Sequence, residues 1–160
     1  MRITLAAAGR LKAGPELSLI EDYAARIRGV GKGLGLSAFE IREIEAPKGL
    51  SGPKRQAREG ELLAGAAATA SRRIVLDERG ESLSSEEFAA LIGGWRDEGC
   101  GQIAFFIGGA DGHSPELSAS ADVKLGFGRA TWPHMLVRAM LVEQIYRAMT
   151  ILAGHPYHRS

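Results

Sequence analysis

The segment from Ile103 to Gly112 constrains the fold of this chain more than any other stretch. Five consecutive apolar residues, Ile103 to Ile107, are followed by Gly108, Gly109 and a further glycine at the end of the segment. A short run that is apolar at every position is typical of a strand buried on both faces of a parallel sheet. Glycines after such a strand let backbone amides approach a ligand, because they carry no Cβ. The segment predicts a buried strand that ends either in a binding site or in a simple tight turn.

Composition sets the broad class of the protein. The chain has 160 residues, of which 45% are apolar, and this is the size of one domain, residues 1–160, with a substantial core. Charges or glycines interrupt every apolar run before it reaches the length of a membrane span. The stretch Met1–Leu5 is typical of a strand and lacks the pattern of a signal peptide. The single cysteine, Cys100, excludes an internal disulfide and indicates a reducing compartment. We therefore expect a cytoplasmic protein with no membrane segment.

Short apolar runs alternate with helical patterns along the chain, which predicts an α/β fold with a parallel sheet covered on both faces. Strand order does not follow from this pattern. Charged residues within 37–45 place the second strand near a sheet edge, and we expect loops at 29–35 and 46–55 and a turn at 78–80. The predicted strands are residues 3–8, 37–45, 73–77, 103–107 and 122–128. The predicted helices are residues 15–28, 56–71, a helix capped at Ser84 that runs through Trp95, 115–121, and a last helix from about His134 to Ala153.

The ends of the predicted strands carry the best candidates for a binding site. The glycines of 108–112 match neither the dinucleotide-binding fingerprint nor a P-loop, so a cofactor without a pyrophosphate is favoured. We expect three strand ends, at 76–77, 108–109 and 126–128, to converge on one ligand. The four histidines lack the spacing of a zinc motif, and no cysteine or carboxylate cluster supports them. We therefore predict no metal site.

Three polar features leave alternatives open. The basic residues between 48 and 58 form either a solvated loop with a first helical turn or a patch that contacts phosphate. His134 follows Pro133 at the expected start of the last helix, where a capping role is the simpler interpretation. The segment Tyr157-His158-Arg159 is either a disordered tail or a functional one. Its aromatic ring can stack on a base, its imidazole can move a proton, and its guanidinium can hold a phosphate.

Four motifs, in this order, are shared with a known family. They are Phe-Ile-Gly-Gly-Ala-Asp-Gly at 106–112, Thr-Trp-Pro-His-Met-Leu-Val-Arg at 131–138, Glu-Gln-Ile-Tyr-Arg-Ala at 143–148 and His-Pro-Tyr-His-Arg at 155–159. Together they resemble the ribosomal RNA large subunit methyltransferase H family. These are small bacterial enzymes of the SPOUT class that methylate N3 of a pseudouridine in large-subunit ribosomal RNA. The resemblance runs the full length of the chain.

The resemblance implies a single α/β domain with a five- or six-stranded, mainly parallel sheet, a C-terminal trefoil knot and a homodimer. The implied cofactor is S-adenosylmethionine, bound in the knot. Carried over by position, its contacts fall on Leu76, Gly108, Phe127, Gly128, Arg129, Ala130, Thr131 and Trp132. The chain departs from the family's usual residues in part of the 127–132 loop, at Phe127, Gly128, Ala130 and Trp132, and also at His113, where relatives often have leucine.

The implied substrate is large-subunit ribosomal RNA within the ribosome, because a net charge of +1 supplies little of the electrostatic affinity on which binding of free RNA depends. Methylation at N3 requires loss of a proton, which a positioned base or groups that stabilise the anion would assist. We predict that the tail acts on the target nucleotide: Arg159 holds phosphate or the developing anion, Tyr157 stacks on or hydrogen-bonds the base, and His158 accepts the proton. The alternative is a non-enzymatic nucleotide- or RNA-binding α/β module, in which the glycine loop only turns.

Overall fold

The computed structural model describes residues 1–158, which form one α/β domain. The strands are β1 (Arg2–Ala8), β2 (Ala38–Ile44), β3 (Arg72–Glu81), β4 (Gln102–Ile107) and β5 (Val123–Leu125). The helices are α1 (Pro15–Gly31), α2 (Gly52–Ala66), α3 (Ser85–Asp97), α4 (Pro115–Ala119) and α5 (His134–Leu152), with a short 3-10 helix at Lys32–Leu34. The strands form one sheet in the order β2-β1-β4-β3-β5, and all neighbours are parallel. Within residues 1–158, no helix has the length and apolarity needed to cross a membrane.

Strand β4 lies at the centre of this sheet, between β1 and β3, and every one of its residues is buried. Phe105 packs into a core with side chains of α1, α3 and α5, and its ring centroid lies 6.0 Å from that of Phe88. Phe106 points to the opposite face and packs into a second core with side chains of α2 and α4. The prediction of a strand buried on both faces is therefore confirmed.

Some element boundaries differ from those expected from the residue pattern. β2 is an edge strand, as its charged residues indicated. The expected flexible loop at 29–35 is wrong, because the end of α1 and the 3-10 helix occupy most of it. The expected helix 56–71 is displaced: α2 begins at Gly52 with Pro53 in its first turn and ends at Ala66. Proline is favourable in a first turn because its missing N–H would have no helical partner there.

The expected turn at 78–80 lies inside β3, because the strand leaves its regular pairing after Leu76 and rejoins β5 at Glu81. Leu125 pairs with both Leu76 and Glu81, so the register shifts and β3 is irregular between these two residues. β5 in turn ends at Leu125 and is shorter than the expected strand at 122–128.

The main chain after β5 packs closely against the end of β3. A Cβ on Gly126 would lie 2.9 Å from the carbonyl oxygen of Asp77 and 3.0 Å from that of Gly80. A Cβ on Gly80 would lie 2.6 Å from the carbonyl oxygen of Lys124. Residues with a side chain do not fit at these distances, and glycine does. The chain that leaves β5 is therefore held against β3 before it reaches α5.

A buried arginine attaches α5 to the carboxyl ends of β1 and β2. Arg138 is 1% exposed and donates hydrogen bonds to the carbonyl oxygens of Ala8, at 2.5 Å, and Gly9, at 2.8 Å. Its Nη1 also lies 2.9 Å from Oε1 of Glu43, and that oxygen accepts a second hydrogen bond from the backbone N–H of Leu11. Burial lowers the pKa of Arg138, and the carboxylate of Glu43 opposes this effect. The ends of β1 and β2 are thus connected to α5 by one side chain.

Replacing Arg138 with methionine should lower the free energy of unfolding by about 3–5 kcal/mol, because the change leaves Glu43 and two carbonyl oxygens without their partner. The control is Arg58→Met, since the Arg58–Glu61 ion pair is largely exposed and should be worth less than about 1 kcal/mol. Urea unfolding followed by circular dichroism measures both changes. Equal losses in the two variants would contradict this account of Arg138.

Candidate functional site

A cavity of about 580 Å³ opens at the carboxyl ends of β3, β4 and β5. Three segments form most of its wall: residues 76–79 at the end of the regularly paired part of β3, the glycine loop from Gly108 to His113, and the segment from Leu125 to Trp132. His134 and Val137, from the first turn of α5, close another side. The volume is within the range of sites for small molecules. The three strand ends therefore converge on one cavity, as the sequence predicted.

The structure brings together seven of the eight residues predicted to bind a cofactor. Leu76, Gly108, Phe127, Gly128, Ala130, Thr131 and Trp132 line the cavity. Arg129 is exposed and does not line it. The indole Nε1 of Trp132 donates a hydrogen bond to the carbonyl oxygen of Phe127 at 3.1 Å. This bond closes the loop on itself, so the side chain of Trp132 has a structural role.

The glycine loop after β4 is both a tight turn and a wall of the cavity. The backbone N–H of Gly112 donates to the carbonyl oxygen of Gly109 at 3.0 Å. Gln56 of α2 donates to the carbonyl oxygen of Asp111 at 2.8 Å, which attaches the loop to the neighbouring helix. A Cβ on Gly108 would lie 3.0 Å from the carbonyl carbon and oxygen of Gly112 and 3.3 Å from Cε1 of His113. The two interpretations of this loop are thus compatible.

His113 connects the glycine loop to the end of β3, and sequence reasoning missed this role. Its Nε2 lies 2.9 Å from the carbonyl oxygen of Leu76, whereas its Nδ1 is buried without a hydrogen-bond partner. Burial lowers the pKa of His113, although the Leu76 carbonyl and the charges of Asp77 and Glu59 oppose this effect. The bonded residues are 37 positions apart in the chain, so no local pattern reports the contact.

The charged groups of the cavity are mainly acidic. Asp77, Glu78 and Asp111 line it together with one guanidinium, that of Arg79. The carboxylate of Asp77 accepts a hydrogen bond from the backbone N–H of Arg79 at 2.9 Å, which holds that acid in place. Such a lining is unfavourable for a phosphate and favourable for a ligand that carries positive charge. This agrees with the expectation of a ligand without a pyrophosphate.

The tail lies elsewhere, folded back on α5. The hydroxyl of Tyr157 donates to Oε1 of Glu143 at 3.1 Å and lies 3.1 Å from the hydroxyl of Tyr23. The Tyr157 ring lies 4.7 Å from that of Tyr146, and the guanidinium of Arg147 lies 4.9 Å from its centroid. Burial raises the pKa of Tyr157, and the hydrogen bonds with Tyr23 and Glu143 raise it further. Tyr157 is therefore an ordered part of the structure.

His158 bridges two helices next to this cluster. Its Nε2 lies 2.6 Å from Oε1 of Glu86 in α3, and its Nδ1 lies 3.3 Å from Nη1 of Arg147 in α5. The hydrogen bond with His158 lowers the pKa of Glu86. Arg159, the third residue of the predicted catalytic group, lies outside the described residues. Tyr157 and His158 are ordered, so the interpretation as a disordered tail is wrong for these two residues.

The tail and the cavity are not adjacent within one chain. Neither Tyr157 nor His158 lines the cavity, whereas His134 does. Arg147, which contacts both tail residues, follows His134 by thirteen residues of the same helix, or about 20 Å of helical rise. A reaction that uses both the cavity and the tail therefore needs an arrangement other than the single chain.

The remaining polar candidates have simpler roles. His134 is the first residue of α5 and makes no capping hydrogen bond, so the capping interpretation is wrong. Arg55 pairs with Glu59 of α2 at 2.9 Å, which favours a solvated first turn over a phosphate patch. Among residues 1–158, no group of three or more His, Cys, Asp or Glu side chains is placed to hold a metal ion.

Comparison with known proteins identifies a family over nearly the whole chain. A family model described as a predicted SPOUT methyltransferase matches residues 1–158. The chain is 49% identical over 160 residues to ribosomal RNA large subunit methyltransferase H of Rhodopseudomonas palustris (strain BisB18), covering 100% of both proteins. It is 53% identical over 159 residues to the protein of the same name from Paracoccus denitrificans (strain Pd 1222), covering 99% of both.

The fold is similar to that of a protein of known structure. The structure is that of a probable methylase family protein from Haemophilus influenzae Rd KW20, with a TM-score of 0.52 and 16% identity. The alignment covers 99% of this chain and 70% of that one. At this level of identity the likeness concerns the fold alone.

Proposed function

Because this chain belongs to the SPOUT methyltransferase family, we propose that it transfers the methyl group of S-adenosylmethionine to N3 of a pseudouridine in large-subunit ribosomal RNA. The full-length relatives at about half identity carry the name of a large-subunit ribosomal RNA methyltransferase. The observation that supports the proposal best is the convergence of three strand ends on one cavity of suitable size. Because the chain belongs to a methyltransferase family, an enzyme is favoured over the alternative of a non-enzymatic binding module.

The residues of the cavity fit S-adenosylmethionine. A purine and a ribose need apolar walls and main-chain hydrogen-bonding groups, which Leu76, Gly108 and the 127–132 loop supply. A sulfonium and an ammonium are stabilised by acidic side chains, and Asp77 and Asp111 are two of these. When bound, S-adenosylmethionine supplies an electrophilic methyl group. We assign its binding to these segments; Arg129 lies in the same loop without lining the cavity.

The work of the protein is positioning and proton removal. The cavity holds one reactant in a fixed direction, which lowers the entropic barrier to transfer. The N3 proton must also leave, and the tail offers an imidazole at His158 and a guanidinium at Arg159 for this step. The contacts of Tyr157 with Glu143 and Tyr23 anchor the tail to the rest of the domain. The tail thus serves the nucleotide, and the cavity serves the cofactor.

A second copy of the chain would bring these two parts together. Three large apolar side chains remain exposed beside the cavity: Trp132 at 44%, Met135 at 41% and Leu136 at 38%. Contiguous exposed apolar residues of this kind mark surfaces that another molecule covers. We propose a homodimer formed through this surface, in which the tail of one copy approaches the cavity of the other. The symmetric arrangement would complete two equivalent sites.

The trefoil knot, the ribosomal substrate and the cytoplasmic location are parts of the proposal that rest on separate observations. The close packing of Gly126 between Asp77 and Gly80 is the contact expected if the chain after β5 threads past the end of β3. A net charge of +1 favours a substrate presented by the assembled ribosome over free RNA. A ribosomal substrate and the single cysteine both agree with a cytoplasmic location.

Methyl transfer itself is the test of the proposed function. Purified protein with isotope-labelled S-adenosylmethionine and unmethylated large subunits or ribosomes should place one label on N3 of a pseudouridine, as mapped by mass spectrometry. Gly108→Val should abolish both cofactor binding in calorimetry and methyl transfer, because its Cβ would crowd Gly112 and its branches would enter the cavity.

Gly65→Val is the matched control, since a Cβ at Gly65 would meet open space on α2. Both variants should keep the circular dichroism of the wild type. Label on another nucleotide would contradict the proposed specificity. Cofactor binding by Gly108→Val at wild-type affinity would contradict the assigned cavity.

Deletion of residues 157–160 should separate the tail from the cavity. We expect the affinity for S-adenosylmethionine to stay within about threefold, because the tail does not line the cavity of its own chain. Methyl transfer to ribosomes should fall by at least about a hundredfold, because proton removal and anion stabilisation would be lost. Calorimetry and single-turnover methylation measure the two effects. A truncated protein that methylates at the wild-type rate would rule out the assignment of the tail.

Met135→Glu should dissociate the homodimer, because it places a charge in the apolar surface of Trp132, Met135 and Leu136. Sedimentation at micromolar concentration should give about twice 17.1 kDa for the wild type and 17.1 kDa for the variant. Ala119→Glu is the control, because it adds the same charge to an exposed position of α4, on the opposite face of the sheet. A wild-type mass of 17.1 kDa would exclude the dimer.

A further inference from the structure

We infer that His113 is a positioning residue of the cofactor cavity: its neutral imidazole, protonated on Nε2, fastens the glycine loop after β4 to the end of β3 and so sets the width of the cavity. The inference rests on the proposed function, because it assumes that the cavity binds S-adenosylmethionine. It gives a side chain outside the motif at 106–112 a defined task in binding.

The hydrogen bond between His113 and Leu76 lies just beyond the last residue pair of β3 and β4. The parallel pairing of β3 with β4 runs from Arg72–Ile103 to Val75–Phe106 and ends there. Leu76, the next residue of β3, lines the cavity, and its carbonyl oxygen lies 2.9 Å from Nε2 of His113. Where the main-chain pairing of β3 and β4 ends and the cavity begins, a side-chain hydrogen bond therefore connects the two segments.

The imidazole ring of His113 also packs against the glycine loop that forms one wall of the cavity. Its Cε1 would lie 3.3 Å from a Cβ placed on Gly108, so the ring packs against the first glycine of the loop. The backbone on its other side is fixed, because the next residue, Ser114, is buried and caps α4 by accepting a hydrogen bond from the N–H of Leu117. The imidazole is therefore bonded to Leu76 and packs against Gly108, and its main chain leads directly into a capped helix.

The protonation state follows from the partners of the two ring nitrogens. A carbonyl oxygen only accepts hydrogen bonds, so Nε2 carries the proton. Nδ1 is buried without a partner, and a proton there would place an unpaired donor in the interior. The charged groups that face the ring, Asp77 from β3 and Glu59 from α2, favour the imidazolium, but the desolvation of the ring is the larger effect. The ring is thus neutral in the folded protein near neutral pH.

Two substitutions separate the hydrogen bond from the volume of the side chain. His113→Leu fills the space without a donor, and His113→Gln keeps an N–H donor at a similar reach. At about pH 7, calorimetry with S-adenosylmethionine should show affinity reduced by about tenfold in His113→Leu and by less than about threefold in His113→Gln. Equal affinity of His113→Leu and the wild type would overturn the inference, as would equal losses in the two variants.

The pH dependence supplies a readout that a merely space-filling role would not change. Because the folded-state pKa of His113 is lowered, protonation opposes the native arrangement, and its effect begins as the pH falls below the ordinary value of about 6.5. The free energy of unfolding of the wild type, measured by urea unfolding, should therefore decline more steeply below about pH 6.5 than that of His113→Gln. His134 also lines the cavity but is present in both proteins, so the difference between the two profiles reports His113. Parallel profiles would overturn the inference.

A spectroscopic measurement keeps this inference distinct from the proposed function. Nitrogen-15 spectra of the histidine rings at about pH 7 should show a neutral Nε2–H tautomer that is absent from the spectrum of His113→Gln. An Nδ1–H tautomer or an imidazolium at this position would overturn the inference whether or not the cofactor binds. A wild-type protein that shows the Nε2–H tautomer but binds no S-adenosylmethionine would instead overturn the proposed function, and with it the assigned role in the cavity.

Discussion

The burial of β4 on both faces is the constraint on which the rest of the structure depends. A strand whose neighbours β1 and β3 are parallel to it, and whose side chains enter two separate cores, requires helices on both sides of the sheet. Connections between parallel strands then return over these faces, so the carboxyl ends of the strands meet at one edge. The cavity lies at this edge, where the glycines after Ile107 let the loop pack closely against its own backbone, His113 and Glu59.

The wall of the cavity includes the loop 126–132, which belongs to no strand or helix. Phe127, Gly128 and Ala130 line the cavity there, and their side chains have no group that forms hydrogen bonds. What maintains the shape is close packing at Gly126, the bond from Trp132 to Phe127, and the bond from His113 to Leu76. Each of these connects segments that the sheet does not hold by itself.

Helix α5 joins two regions with different chemistry. Its first turn closes the cavity through His134 and Val137, and its later turns carry the cluster around Tyr157. Between them, Arg138 attaches the helix to the ends of β1 and β2. A buried charge is costly unless it is paired, and the pairing of Nη1 and Nη2 of Arg138 with Glu43 and the end of β1 fixes the position of the helix along the sheet. The distance between cavity and tail is therefore a fixed property of the chain, and a second copy is the means we propose to bridge it.

The sequence by itself determined the type of each element and the three strand ends of the site, because apolar periodicity and glycine placement are local properties. The run Ile103–Ile107 predicted a doubly buried strand, and the glycines after it predicted the cavity wall, which the structure confirms. Only the tertiary structure decided the strand order, the renewed pairing of β3 with β5 at Glu81, and the partners of His113 and Arg138. These features arise from contacts between residues distant in the chain, where main-chain packing and burial outweigh the local preference for a solvated side chain.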